Sequence, residues 1–326
     1  MSFSKYRYFF LALSAIVITG LLIATFVVHG GFRPSITFDG GVRLSLVMPS
    51  GQGHNELDAA AHAAGLENFQ IRQTDVRANT YDLELGPVER DQYAAIVEQS
   101  ERERLAEVRR LEREGQPVPP ALRLSSTVAD YIEARLLPEL GIDASSVVAR
   151  ETIAASYGEN LSDTARNLLL GTIVVIGLYL TFRFDFPFAL GASLALLHDV
   201  LMTIGFIGVF QLEPNIPLVA AVLTIIGYSI NDTIVIFDRI RENVQDRQQA
   251  TLGATVDLAI TQTLSRTIIT SILTFLSVLA LLIGGVESLR EFALVLGFGI
   301  VIGTYSSIFI ASPMVQIYEQ FRRGRA

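Results

Sequence analysis

The chain has 326 residues, half of them hydrophobic and only 18% charged, against about 25% charged for a soluble domain, so a membrane protein is expected. It has no cysteine and four scattered histidines without HExxH spacing, which excludes a disulfide framework or thiolate nucleophile and leaves no case for a metal or other cofactor. A net charge of −8, with the basic residues dispersed along the chain, argues against nucleic acid as a partner.

Six apolar segments approach the roughly 20 residues that cross a ~30 Å hydrocarbon core. The first, about Tyr8 to Val28, follows Lys5 and Arg7. It exceeds the ~7–15-residue apolar region of a signal peptide and is read as a retained anchor. A polar stretch of about 30 to 160 comes next. The Phe38-Asp39-Gly40-Gly41 segment that opens it reads as a tight turn needing positive φ, since a lone Gly-Gly is weak evidence for an anion cradle. Val42 to Met48 alternates like a strand, His54 to Ala64 is an alanine-rich helix, and Phe69 to Gln73 and Tyr81 to Leu85 read as two further strands. Arg90 to Glu114 is a charged helix with opposite charges three and four apart, expected to end at Gly115 and the Pro117-Val118-Pro119-Pro120 breaker. Ser125 or Ser126 is the expected cap of a helix through Leu137, and Ser145 to Glu151 returns as a strand. The order βαββαβ implies a ferredoxin-like sandwich. Five more spans follow at about 166 to 183, 187 to 210, 217 to 237, 265 to 283 and 291 to 317.

The expected fold is therefore an α-helical membrane protein with six transmembrane helices, one plus five, and a small α+β ferredoxin-like domain. Its divisions are a first helix at 1–29, the domain at 30–160, a five-helix bundle at 161–318 and a tail at 319–326. Basic residues in short loops lie on the cytoplasmic side. Lys5, Arg7, Arg183, Arg239, Arg241, Arg247, Arg322, Arg323 and Arg325 all fall on one side, and only Arg290 falls in the opposing short loops. Both termini are expected to be cytoplasmic and the 30–160 domain extracytoplasmic, hence periplasmic in a bacterium with two membranes.

Chemistry concentrates in the fourth span, where Asn231 and Asp232 interrupt an apolar helix running from Gly227 to Asn243. A charge near the bilayer centre costs at least ~2.5 kcal/mol, so it is expected to face a partner, a cavity or an ion path. Thr224, Tyr228, Asn231, Asp232, Val235 and Asp238 recur at three and four, which predicts one polar stripe facing protein. Desolvation and any neighbouring cation act in opposite directions on the proton affinity of such a carboxylate. Arg266 enters the fifth span from the same side and either reaches toward Asp232 or snorkels to the interface. His198 and Asp199 stand roughly eleven residues after Pro187, near the midplane at ~1.5 Å per residue. With Asp238 and Arg239 they are candidate polar support, either part of one interior or simple helix locks. An aspartyl hydrolase built on Asp232 and Asp199 lacks a Gly-x-Gly-Asp signature, and a passive scaffold remains an alternative.

Leu196-Leu197-His198-Asp199-Val200, the Gly227 to Asn243 run, Gln262-Thr263-Leu264-Ser265-Arg266-Thr267 and Gly303-Thr304-Tyr305-Ser306-Ser307-Ile308-Phe309-Ile310-Ala311 closely resemble the SecF family of the resistance-nodulation-division superfamily. The resemblance runs through about 160 to 315. The chain departs from the family in having Asp39 where the turn usually has Thr, in lacking the usual Val-Gly-Pro before the second span, and in a longer 90–120 stretch. The resemblance implies a non-enzymatic subunit of the Sec export machinery in the bacterial inner membrane. It implies an obligate SecD partner, the SecYEG channel, YajC and YidC as further associates, and a translocating unfolded polypeptide as substrate, driven by the proton-motive force rather than ATP. Asp232 then corresponds to the intramembrane aspartate of proton coupling and Arg266 to the arginine of the same relay, with Asn231 beside them and a further aspartate supplied by SecD. A small-molecule or lipid exporter of the same superfamily is the alternative, though only one helix set is present.

Overall fold

The computed structural model describes residues 3–33, 35–75, 77–114, 127–153, 155–246, 251–284 and 289–323. Two compact units emerge, one of residues 34–163 and one of residues 1–33 with 164–326.

In the first unit four strands form one antiparallel sheet. β1 (Gly41–Val47), β2 (Phe69–Asp75), β3 (Thr80–Leu85) and β4 (Val147–Ile153) lie in the order β2-β3-β1-β4, the arrangement expected of a ferredoxin-like βαββαβ chain. Alternation decides the faces. Val42, Leu44, Leu46, Leu83 and Leu85 are fully buried with Leu57 of α3 (His54–Ala63) and Ile132 and Leu136 of α5 (Val128–Leu140), each such side chain contributing about 1.5–3 kcal/mol on burial. The intervening Arg43, Asp82 and Glu84 share the opposite face, with Arg43 paired across the ladder with Glu84 and Glu151.

The segment before β1 is a short helix, α2 (Ile36–Asp39), rather than a simple turn. Ser35 starts it by accepting the Thr37 N–H, and the Ser35 N–H in turn donates to Asp39. The expected positive φ is found at Gly40 (81°) and Gly41 (146°), where a Cβ on Gly41 would stand 2.3 Å from the Leu85 carbonyl oxygen. The charged helix α4 (Pro87–Arg113) begins three residues earlier than expected, and its pairs Arg102 with Glu98, Arg104 with Glu101 and Arg110 with Glu107 run along its surface. Tyr93 and Val97 nevertheless bury its first half against the core. Gly115, Pro117 to Pro120, Ser125 and Ser126 lie outside the described residues. The cap of α5 is Thr127, in a reciprocal pair with Asp130.

The second unit is helical. Among the described residues six helical stretches are long and apolar enough to cross a membrane: Phe3–Val28, Tyr157–Arg183, Phe186–Val209, Ile216–Gln245, Leu252–Gly284 and Arg290–Arg322. They fall on α1 (Arg7–Ile23), α6 (Ala155–Arg183), α7 (Phe186–Val209), α8 (Ile216–Gln245), α9 (Leu252–Gly284), α10 (Arg290–Ser306) and α11 (Ser312–Arg323). The last two are joined by a π-turn at Ser307–Ala311. α6 begins well before the expected second span, because its polar first turns extend the same helix. Pro187 and Pro217 sit in the first turns of α7 and α8, where no amide is needed, and Asn215 caps α8 through the Leu218 N–H at 2.9 Å. α7, α8 and α10 carry most of the buried surface, while α1, α6 and α9 are largely open on the outside of this chain.

Two apolar clusters fill the bundle. One gathers Ile225 and Ile226 of α8 with Val295 and Ile300 of α10, and the other gathers Ile236, Phe237 and Ile240 of α8 with Ile308 and Val315. The polar side chains of α8 and α10 fall in the gap between them.

Candidate functional site

That gap is a layer of hydroxyls around two aspartates. Asp199 on α7 is fully buried. Its Oδ1 lies 2.8 Å from His198 Nδ1, and its Oδ2 accepts from the hydroxyls of Ser229 on α8 (2.5 Å) and Ser306 on α10 (2.7 Å). Gly303 allows that convergence: a Cβ there would lie 2.9 Å from Ser229 Cβ, so α8 and α10 cross close at this level. Thr203 binds back to the Asp199 carbonyl oxygen at 2.7 Å. The layer continues through Ser307, which pairs with Thr233 at 2.8 Å and donates to the Ser229 carbonyl oxygen at 3.3 Å. His198 is also buried, its ring 5.9 Å from that of Tyr305, whose hydroxyl pairs with Ser14 of α1 at 2.9 Å. One carboxylate thus ties three helices together.

Asp232 stands three residues after Ser229, about 4.5 Å along the axis at ~1.5 Å per residue, and differs in kind. It is 4% exposed, yet its Oδ2 is buried without a hydrogen-bond partner. Among the described residues no ion pair joins it to a cation. The charge of Arg266 acts on it through space and the hydroxyl of Ser271 through hydrogen bonding, both from α9. Ser271 itself bonds Tyr228 of α8 at 3.2 Å and Thr304 of α10 at 2.7 Å. An unsatisfied buried polar atom costs about 1–3 kcal/mol and more when charged, so Asp232 is where this layer is least satisfied.

The polar stripe read from the sequence splits. Thr224 and Asn231 are exposed, as is Arg266; Tyr228, Val235 and Asp238 are half-buried; and Asp232 turns inward with Ile225, Ile226, Ser229, Thr233 and Ile236. Each residue advances about 100° around a helix, so Asn231 and Asp232 cannot share a direction. The larger apolar residues took the core and left the Thr224/Asn231 side open. Asp238 and Arg239 are not joined to the layer. Arg183 bonds both Asp238 oxygens at 3.0 Å, and Arg239 donates to Gln262 (2.7 Å) and Glu242 (2.5 Å).

Sequence reasoning overlooked Ser229, Ser271, Ser306 and Ser307. Their only signal was hydroxyl residues recurring at one height in three otherwise apolar helices. Among the described residues no three His, Asp or Glu side chains gather as metal ligands.

Comparison with known proteins converges on one family. The model of the protein export membrane protein SecD/SecF C-terminal family matches residues 136–320. The protein translocase subunit SecF of Borreliella burgdorferi is 31% identical over 99% of both chains, and that of Koribacter versatilis is 46% identical over 54% of this chain and 43% of its own. The crystal structure of SecDF from Thermus thermophilus, described as a translocon-associated membrane protein, matches with a TM-score of 0.76 at 30% identity. The match covers 98% of this chain and 39% of that one, so the chain spans well under half of the solved SecDF. A second SecDF structure, in a super-membrane-facing form, matches at a TM-score of 0.59 with 29% identity, over 100% of this chain and 39% of that one. With its six apolar helices, four-stranded antiparallel sheet and near full-length similarity to SecF subunits, the chain belongs to the SecD/SecF family of protein export membrane proteins, on its SecF side.

Proposed function

We propose that the chain pairs with SecD and uses the proton-motive force to pull or ratchet a polypeptide emerging from the SecYEG channel, after the ATP-driven steps and without itself being an enzyme. Asp232 carries the proton, Arg266 and Asn231 complete its surroundings, and SecD supplies the missing face. The observation that carries this reading is the Asp232 carboxylate, buried with an unpartnered oxygen beside an arginine it does not contact, on a helix whose adjoining polar side is open. A group so poorly satisfied is poised to change state when a partner helix docks or a proton arrives.

In this reading the termini are cytoplasmic, residues 30–160 face the periplasm across the inner membrane, and YajC and YidC are further associates. Protonation of Asp232 removes its attraction to Arg266, the SecD and SecF helices shift, and the external domains swing. One charge crossing the membrane releases ~2.3 kcal/mol per 100 mV, enough to shift a two-state equilibrium about fifty-fold. The test is Asp232→Asn in the assembled complex. Assembly with SecD should persist while proton-driven stimulation of export disappears; undiminished stimulation would remove Asp232 as the carrier.

A further inference from the structure

Asp232 is not the only polar group left short in its part of the bundle. Thr267 of α9 is 1% exposed, and its Oγ1, like Asp232 Oδ2, is buried without a hydrogen-bond partner among the described residues. For this helix that is an exception. The other threonines of α9, Thr255, Thr261, Thr263, Thr270 and Thr274, each donate to the carbonyl oxygen four residues back at 2.8–3.1 Å. That local bond belongs to one of the two side-chain rotamers a helical threonine adopts, and Thr267 does not make it.

Register tells what Thr267 is turned toward. Tyr228 of α8 reaches Ser271 of α9 at 3.2 Å, and farther along α8 Arg239 reaches Gln262 at 2.7 Å. Numbers rise on one helix as they fall on the other, so the two run antiparallel. Asp232 follows Tyr228 by four residues and Thr267 precedes Ser271 by four. Each step is about one helical turn and keeps a side chain on the same face, so the two unpartnered oxygens lie in one seam at one height.

A buried polar atom without a partner is costly, and a charged one more so. Bringing the Thr267 hydroxyl onto Asp232 satisfies two such atoms with one bond, and the gain is largest while the carboxylate is charged. We propose that Thr267 is the positioning residue of the proton carrier: its hydroxyl donates to Asp232 Oδ2 while the carboxylate is ionised and returns to the Thr263 carbonyl once a proton neutralises it. With Asp232 as the carrier, on which this role depends, Thr267 is the side chain through which α9 senses whether the proton is loaded. No proton leaves Thr267; only the acceptor of its hydrogen bond changes.

The test uses the full complex with SecD in lipid vesicles. Infrared difference spectra between acid and alkaline buffer are recorded, and the Asp232 bands are those that Asp232→Asn removes. In Thr267→Val, which keeps the shape and drops the hydroxyl, the carboxylate band of Asp232 should shift. Proton-driven export should fall roughly tenfold, the effect of losing one hydrogen bond to a charged group. Thr267→Ser, which keeps the hydroxyl, should return both to wild type, and Thr267→Ala should repeat the valine result where the valine variant does not assemble. If Asp232→Asn removes no band, the carrier falls and this role with it. Bands lost in Asp232→Asn but unshifted in Thr267→Val or Thr267→Ala overturn the role of Thr267 alone, as does a shift in Thr267→Ser equal to that in Thr267→Val.

Discussion

In the sheet-bearing unit the buried carboxylates lie against arginines. Glu84 is 3.0 Å from Arg43, Asp82 is 3.7 Å from Arg43 and 3.8 Å from Arg72, and Glu133 is 2.9 Å from Arg150. In the helical unit Asp199 and Asp232 form no ion pair with an arginine among the described residues. Asp199 is satisfied by two hydroxyls and an imidazole, and Asp232 is left short. The arginines brace the carboxylates of the sheet unit as struts. The bundle's two aspartates lack that bracing, and it is on this difference that the proposed proton-carrying role of Asp232 rests.

The largest effect expected from breaking this contrast is Asp232→Asn. Proton-driven export should vanish while the melting temperature of the complex holds or rises, because a neutral amide relieves a poorly paired buried charge. A lower melting temperature would show Asp232 to be a strut after all. Next comes Arg43→Ala, which leaves Asp82 and Glu84, each only 5% exposed, with Arg72 at 3.8 and 4.0 Å. Losing the closer partner should cost less than the about 3–5 kcal/mol of a fully broken buried pair but still accelerate hydrogen exchange through β1 and β3 in the full-length chain, and unchanged protection would show that Arg43 is dispensable. Asp199→Asn should cost about 1–3 kcal/mol, visible as a lower melting temperature of the complex, since an amide cannot accept all the bonds that the carboxylate accepts. An unchanged value would mean that the hydroxyl layer does not hold α7, α8 and α10 together.

The smallest effect lies at the exposed turn after β2. The N–H groups of Ala78 and Arg77 donate to Asp75 and hold its carboxyl below the usual carboxylate range. Its folded value is therefore the lower one, so its contribution is present above an unfolded value of about 3.9 and fades as pH falls through the folded value. Asp75→Asn should flatten the acid-side loss of exchange protection across residues 69–85. Parallel profiles for the two proteins would count against that origin.

Much of the architecture was legible in the sequence for simple reasons. Long apolar runs announce spans, alternation announces β1 and β3, and their order with the helices led to the sheet topology. An aspartate inside an apolar helix drew the eye to Asp232, and the structure buries that side chain. The polar stripe was too broad, because spacings of one, three and four mixed Asn231 and Asp232, which point about 100° apart. His198 and Asp199 were legible as polar interior or helix lock, but the partners that form the knot were not. Serines carry little signal in a sequence, and their convergence depends on Gly303 letting α8 and α10 close together. The helix at Ile36–Asp39 was missed because two glycines dominate the reading of that segment, whereas Ser35 and Asp39 supply the local bonds that wind it. The cap at Thr127 was displaced by two attractive serines just upstream.

The wide turn at Ser307–Ala311 fits an extra residue into the sixth crossing, and Ser312 Oγ bonds the Ser307 carbonyl oxygen at 2.9 Å within it. An extra residue turns everything beyond it by about 100° relative to an unbroken α-helix. The direction in which α11 presents its side chains is therefore set apart from the direction in which α10 presents Ser306.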